Sequence, residues 1–240
     1  MGRLTLSDLL PLVPVLSLRR RQLARRARPS PLKTFLESPL PPLSMDWRDC
    51  AYLVVDFETT GLDSRQDTLL SIGRVAMDGV EVDLASARHD LIRPERAIPE
   101  SSAVIHCITD DVAAEGKPLD EVLPTLLEAL AGRVLVAHNA RFEMAFLQRA
   151  CKQLWGAGLA LPVIDTMQLA RRQFERRHVS WRQDALRLDS LRQDHQLPRY
   201  DAHHALSDAL STAELFSALV QERLNGPNPL PVRRLIAGLW

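Results

Sequence analysis

Three short runs of apolar and β-branched residues follow one another between positions 52 and 94, with no helical segment between them. They read YLVVDF, LLSIGRVAM and VDLASARHDLIRP, and glycine-bearing or polar turns separate them. Runs of this length and composition are typical of β-strands. The domain is therefore predicted to open with three sequential strands that form an antiparallel meander.

After Pro99 the apolar residues recur with helical spacing instead. Gly132 is expected to end this helix, and VLVA at 134–137 is predicted to be a fourth strand. The apolar face of the helix consists of Val122, Leu123, Leu126, Leu127 and Leu130.

The second half of the chain continues this alternation. A helix is predicted to start at Asn139, a candidate N-cap, and a short fifth strand lies around Val163 and Ile164. Another helix begins near Asp165, which is expected to cap it, and the last long helix runs from about Ala202 to Arg223. The pattern predicts an α/β fold with a mixed five-stranded sheet flanked by helices.

Charge is distributed unevenly along the chain. Residues 1–45 contain eight arginines and lysines against Asp8 and Glu37, a net charge of +6, and the remainder carries −6. We predict a basic N-terminal extension and linker at 1–45, the main folded domain at 46–225 and a tail at 226–240. The basic part of the extension could form a helix that contacts phosphate or a protein partner, although a charge run is usually a solvated surface. The acidic remainder argues against a broad duplex-binding surface.

The cysteines and the N-terminal apolar stretch bear on the cellular compartment. Cys50, Cys107 and Cys151 lack CxxC spacing and suit neither a disulfide framework nor a thiolate metal site, so a cytoplasmic location is expected. The segment from Leu9 to Leu18 is short and contains two prolines, which predicts no membrane anchor.

The first candidate functional residues end the first strand. Strand alternation places Asp56 and Glu58 on one face and Phe57 on the other. Two carboxylates that point together near a core require cations, and a hard divalent ion is the simplest candidate. A solvated strand end with two ordinary acids is the alternative.

Two further motifs supply acids and a histidine. HNARFE places Glu143 in the first turns of a helix. An acid at this position is also explained by the helix dipole, which stabilises negative charge at the N-terminus. In HHALSDA, Asp208 follows His203 by five positions, which correspond to a rotation of about 140° along a helix. The two side chains can therefore face one site only if His203 lies at or before the first turn of the helix. The residues alone do not choose between His203 and His204.

Four acids and one histidine together suit phosphodiester cleavage by two metal ions. Most of the catalytic groups in that chemistry are carboxylates. A histidine with a pKa near neutrality suits a general base that deprotonates the attacking water.

The segments DFETTGLD, HNARFE and HHALSDA resemble the three motifs of the DnaQ-like DEDDh exonuclease family, which includes polymerase proofreading subunits. The resemblance covers about Tyr52 to Val220. It implies an RNase H-like fold, two Mg²⁺ or Mn²⁺ ions, and hydrolysis of single-stranded DNA or RNA from the 3′ end. The products would be nucleoside 5′-monophosphates.

The resemblance also assigns residue roles. It implies that Asp56, Glu58, Glu143 and Asp208 are metal ligands and that His203 is the general base. VIHCITDD resembles the family's His-Gly-Ile-Thr segment, with Cys107 in place of glycine. The implied substrate contacts are Thr59, Thr60, Gly61, His106, Ile108, His138 and Asn139.

Glu143 is the main departure from the family pattern, because the family has aspartate there. The extra methylene moves the carboxylate by about 1.5 Å, whereas productive sites tolerate a displacement of about 0.5 Å.

An active exonuclease is the favoured hypothesis, and a catalytically weakened module that binds nucleotides or 3′ ends is the alternative. A third is a structural subunit. Proofreading would require a separate polymerase, and the N-terminal extension is a candidate contact for a protein partner.

Overall fold

The computed structural model describes residues 12–94, 96–223 and 229–239. The predicted meander is present as β1 (Ala51–Thr59), β2 (Leu69–Asp78) and β3 (Glu81–Leu91), and both pairings are antiparallel. On the other side of β1 lie the parallel strands β4 (Val134–Ala137) and β5 (Pro162–Asp165). The predicted mixed sheet is confirmed.

Nine α-helices lie within the described residues, and none of them is long and apolar enough to cross a membrane. They are α1 (Leu12–Arg26), α2 (Pro31–Glu37), α3 (Glu100–His106), α4 (Asp110–Ala114), α5 (Leu119–Leu130), α6 (Arg141–Trp155), α7 (Thr166–Arg176), α8 (Leu188–Asp194) and α9 (Ala205–Arg223). Short 3₁₀ turns occur at Trp47–Asp49, Gln183–Leu186 and Val232–Arg234.

The two faces of the sheet carry separate apolar clusters. Leu53 and Val55 face the cluster that includes buried residues of α1, α2, α5 and α6. Tyr52 and Val54 face the cluster formed with α7, α8 and α9. Because side chains alternate along a strand, Asp56 points to the α9 face.

Segments at both ends of the chain pack against this framework. On α1, Arg20 is 4% exposed and donates to the carbonyls of Leu36 and Ala160. The tail buries Leu230 and Val232 in the α9-side cluster. It also adds a two-residue strand, β6 (Gly238–Leu239), antiparallel to β5. The domain boundaries at 45/46 and 225/226 stay predictions.

Two helix starts differ from the sequence prediction. The cap residue of α6 is Ala140, without a side-chain hydrogen bond, so the proposed N-cap role of Asn139 is wrong. Asn139 adopts a left-handed conformation (φ 64°), and its N–H donates to Asp165 instead. Helix α9 starts at Ala205 rather than near Ala202 because His203 is also left-handed (φ 65°), which interrupts helical geometry.

Gly73 on β2 permits the close approach of α9 to the sheet. A Cβ atom at this position would lie 2.1 Å from the backbone carbon and oxygen of Ala205. Any side chain here would therefore displace the N-terminus of α9 relative to β1.

Gly73→Ala is expected to destabilise the protein by about 3 kcal/mol or more, since the overlap is with backbone atoms that cannot rotate away. Urea unfolding would measure the loss. Gly158→Ala is the matched control, because its new Cβ would meet mainly the far end of the Gln148 side chain. Equal stability losses in the two variants would contradict this account of Gly73.

Candidate active site

Three carboxylates from two elements converge at the end of β1. The ligand oxygens of Asp56, Glu58 and Asp208 all lie within 4.8 Å of one another. Asp56 and Glu58 share a face of β1, as predicted, and Asp208 lies in the first turn of α9. The structure therefore brings together acids that are about 150 positions apart in the sequence.

Glu143 enters the same region from the first turn of α6. Glu143 is 3% exposed, and its Oε2 atom has no hydrogen-bond partner among the described residues. Burial raises the pKa of Glu143, and the nearby Asp165 and Glu58 raise it further. Glu143 lies outside the group of three acids whose oxygens meet within 4.8 Å.

Mutual repulsion and burial set the electrostatics of the site. Burial raises the pKa of Asp56, and the charges of Glu143, Asp208 and Glu58 add to the effect. Burial also raises the pKa of Asp208 to about 6. Buried and half-buried carboxylates this close together are unfavourable unless protons or cations neutralise them. The donor set therefore fits hard divalent ions, which prefer carboxylate oxygen.

Two histidines border the acids. Nδ1 of His106 lies 2.5 Å from Oε2 of Glu58, and the His106 ring centroid is 6.1 Å from that of His203. His203 is exposed, and its backbone N–H donates to Oδ2 of Asp208 at 2.9 Å. The condition that His203 precede the first turn of the last helix is met, because α9 starts two residues later.

His204 has a different environment from its neighbour. Its ring lies 4.3 Å from the ring of His89 on β3, measured between centroids, and its Nδ1 accepts from the N–H of Ser207. His89 was not a sequence candidate, because no local pattern connects β3 to the loop before α9. Both histidines are exposed, but His204 stacks beside His89 on the sheet, whereas the backbone of His203 is hydrogen-bonded to Asp208.

Cys107 and Ile108, which follow α3, differ in their surroundings. Cys107 is exposed and left-handed (φ 55°), a conformation that glycine adopts more readily, which accounts physically for glycine at this position in the family motif. Ile108 is 6% exposed and packs with Leu70, Ile98 and Ala113. Packing thus already accounts for Ile108, and its substrate contact stays a prediction.

The loop that follows Glu58 is held by its own hydrogen bonds. The hydroxyl of Thr59 donates to the carbonyl of Gly61 at 2.6 Å, and that of Thr60 donates to Asp67 at 3.2 Å. Nη1 of Arg149 on α6 donates to the carbonyl of Asp67 at 3.0 Å. The sequence prediction missed Asp67 and Arg149, because only the tertiary fold connects α6 to this loop.

His138 uses both ring nitrogens in the structure. Nδ1 lies 2.8 Å from the Thr166 hydroxyl, and Nε2 lies 3.0 Å from the carbonyl oxygen of Leu186. Burial lowers the pKa of His138 to about 4, so the ring is neutral at pH 7. These bonds tie the end of β4 to α7 and the 3₁₀ turn, and a substrate contact stays a prediction.

Asp165 caps α7, as predicted. Its Oδ1 accepts from the N–H groups of Met167 at 3.0 Å and Gln168 at 3.3 Å. The same oxygen accepts from the N–H of Asn139 at 3.1 Å. One carboxylate thereby joins the start of α7 to the turn before α6, which fixes the backbone that carries Glu143.

Divalent ions are expected to stabilise the protein more at pH 8 than at pH 5. The pKa of Asp208 in the fold, about 6, lies above its ordinary value of 3.8, so its charge destabilises the ion-free protein as pH rises through this interval. Bound cations offset the cost of that charge, whereas protons compete with the cations for the carboxylates below pH 6. Thermal unfolding with Mn²⁺ and with EDTA at both pH values checks this, and an equal shift at both would contradict it.

Comparison with known proteins identifies a family. Residues 53–216 match the model of the RNase T family, which is described as exonuclease. The chain is 36% identical over 173 residues to the PolC-type DNA polymerase III of Thermotoga maritima, covering 72% of this chain and 12% of the relative. It is 33% identical over 172 residues to the DNA polymerase III epsilon subunit of Treponema pallidum, covering 71% and 76%.

Solved structures support the fold. Exonuclease X in complex with 5′ overhanging duplex DNA matches with a TM-score of 0.58 and 24% identity, covering 77% of this chain and 98% of that one. Exonuclease I matches with a TM-score of 0.62 and 16% identity, covering 72% of this chain and 41% of that one.

The chain spans a small part of the length of the PolC relatives but most of the length of the epsilon subunit. With its RNase H-like sheet, this chain belongs to the DnaQ-like exonucleases of the RNase T family, which are hydrolases.

Proposed function

We propose that this protein is a metal-dependent 3′ to 5′ exonuclease acting on single-stranded DNA or RNA ends and releasing nucleoside 5′-monophosphates. The observation that carries the proposal is the convergence of Asp56, Glu58 and Asp208 within 4.8 Å, on a fold shared with exonucleases.

The residues fit a pair of Mg²⁺ or Mn²⁺ ions. Asp56, Glu58 and Asp208 would hold the ions, and Glu143 would complete the donor set. The buried atoms Oε1 of Glu58 and Oε2 of Glu143 have no hydrogen-bond donor among the described residues, which suits oxygens that serve as ligands. When bound, such ions supply positive charge to the attacking and leaving oxygens of the phosphodiester.

His203 is assigned the role of general base. Its side chain is exposed at the edge of the acid cluster, and its backbone is held to Asp208. An accessible imidazole accepts the proton of the attacking water at neutral pH. His106 contacts Glu58 and would orient that carboxylate.

Digestion of 5′-labelled single-stranded DNA and RNA oligomers with Mg²⁺, Mn²⁺ or EDTA tests the proposal. A ladder that shortens from the 3′ end and requires the ion supports it, and the relative rates give the sugar preference. Metal-independent products, or none with either nucleic acid, would refute it.

Glu143 also supports the alternative of a catalytically weakened module that binds 3′ ends. Its carboxylate lies outside the group formed by the other three acids. A binding module would retain an oligomer with a free 3′ end in the presence of Mn²⁺ without releasing nucleotides.

Glu143→Asp tests whether the longer glutamate side chain limits catalysis. If the longer side chain limits ion placement, the variant is expected to raise kcat by about 3- to 10-fold, since misplacement beyond about 0.5 Å is costly. If the backbone of α6 already compensates for the extra methylene, shortening the side chain lowers kcat. Steady-state kinetics of both proteins measure the change, and Glu128→Asp on α5 is a control for the same chemical substitution elsewhere.

A further inference from the structure

The loop that carries His203 connects α8 to α9, and a buried arginine contacts it. Arg192 on α8 is 4% exposed, and its Nη2 donates to the carbonyl of Pro198 within the loop at 2.6 Å. Its Nη1 donates to the carbonyl of Ser211 on α9 at 2.6 Å. One buried guanidinium therefore bridges two helices and the loop between them.

Glu214 and Tyr200 complete this contact. Nη2 of Arg192 lies 2.7 Å from Oε2 of Glu214, and the hydroxyl of Tyr200 donates to Oε1 of the same carboxylate at 2.8 Å. The Arg192 guanidinium also lies over the Tyr200 ring, 4.9 Å from its centroid. Each carboxylate oxygen of Glu214 thus has its own partner, and the tyrosine is held from two directions.

His203 lies three residues beyond Tyr200. On its other side, His204 contacts His89 and the His203 N–H bonds to Asp208. The exposed residues between these two anchors are Asp201 and Ala202. A segment this short has little freedom once both of its ends are held.

We propose that Arg192, Glu214 and Tyr200 form a clamp that positions the His203 loop against α9, and that they are positioning residues for the reaction. The inference rests on the proposed role of His203 as general base. The clamp holds the loop so that the imidazole reaches the attacking water beside Asp208. It acts on proton transfer, so it changes kcat more than KM.

Tyr200→Phe is the most selective test, because it removes only the hydroxyl from a half-exposed side chain and keeps the ring over Arg192. We expect kcat for a single-stranded DNA oligomer with Mn²⁺ to fall by about 3- to 10-fold, with KM changed less than about 2-fold. Glu214→Ala is expected to lose more, and Glu214→Gln to recover part of that loss. Glu175→Gln, from the exposed pair with Arg171 on α7, is the control.

A double variant distinguishes positioning from a general structural effect. If the clamp acts through the imidazole, Tyr200→Phe lowers kcat in the wild-type background but not in His203→Asn. Equal losses in both backgrounds would overturn the proposal, as would an unchanged kcat in Tyr200→Phe.

Hydrogen exchange separates failure of the clamp from failure of the proposed function. In the full-length protein, Tyr200→Phe is expected to speed amide exchange at 201–204 relative to the wild type, whether or not the enzyme is active. Unchanged exchange would refute the clamp directly. An inactive wild type, or full activity in His203→Asn, would instead refute the assigned chemistry.

Discussion

Asp56→Asn is expected to lower kcat by about 10³-fold or more. The substitution keeps the size of the side chain but removes a carboxylate proposed as a metal ligand from the group formed with Glu58 and Asp208. Stabilisation of the transition state by the ions is worth several kcal/mol, and each 1.36 kcal/mol is about tenfold in rate. Oligomer digestion with Mn²⁺ would measure the loss.

The same substitution is expected to stabilise the ion-free protein at pH 8. Asp56 is destabilised by burial and by the charges of Glu143, Asp208 and Glu58, so a neutral amide relieves the repulsion. Thermal unfolding in EDTA would show a higher midpoint than the wild type. Asp78→Asn, at the opposite end of the β1–β2 pair, is the control and should change neither property. A lower midpoint or normal activity in Asp56→Asn would contradict the assignment.

His203→Asn is expected to lower kcat by about 10²- to 10⁴-fold, the usual contribution of a general base. Asparagine tolerates the left-handed backbone of this position (φ 65°), so the loop keeps its conformation. Because hydroxide partly replaces a missing base, the deficit relative to the wild type is expected to shrink as pH rises. Initial rates between pH 6 and 9 would measure this.

His178 and His204 provide the controls for His203. His178 is also an exposed, left-handed histidine, at φ 53°, so His178→Asn tests the substitution itself and should be silent. His204→Asn removes the contact with His89 and is expected to cost much less activity than His203→Asn. A larger loss in the His204 variant would transfer the role of general base to His204.

Stability and activity make opposite demands at this site. Burial raises the pKa values of Asp56, Glu143 and Asp208 in the ion-free fold, so their charged forms are unfavourable there at neutral pH. Catalysis by two ions requires the same carboxylates to lie close together. The cost is therefore a direct consequence of an arrangement that suits two ions, and ion binding would offset it.

Local sequence was sufficient for the framework of the fold and for two of the three acids that meet within 4.8 Å. The alternation of side chains along a strand depends only on backbone geometry, so it placed Asp56 and Glu58 on one face correctly. The helical repeat likewise identified the buried face of α5, from Val122 to Leu130. The motifs by themselves indicate the exonuclease family, to which the chain belongs.

Other features depended on residues far apart in the sequence. Whether His203 or His204 borders the acids depends on His89, more than 100 positions earlier, and the approach of Asp208 depends on Gly73. Asn139 does not cap α6, and its backbone N–H donates to the distant Asp165 instead. Periodicity reports only the direction of each side chain from its own backbone, whereas these contacts arise from packing, which the fold decides as a whole.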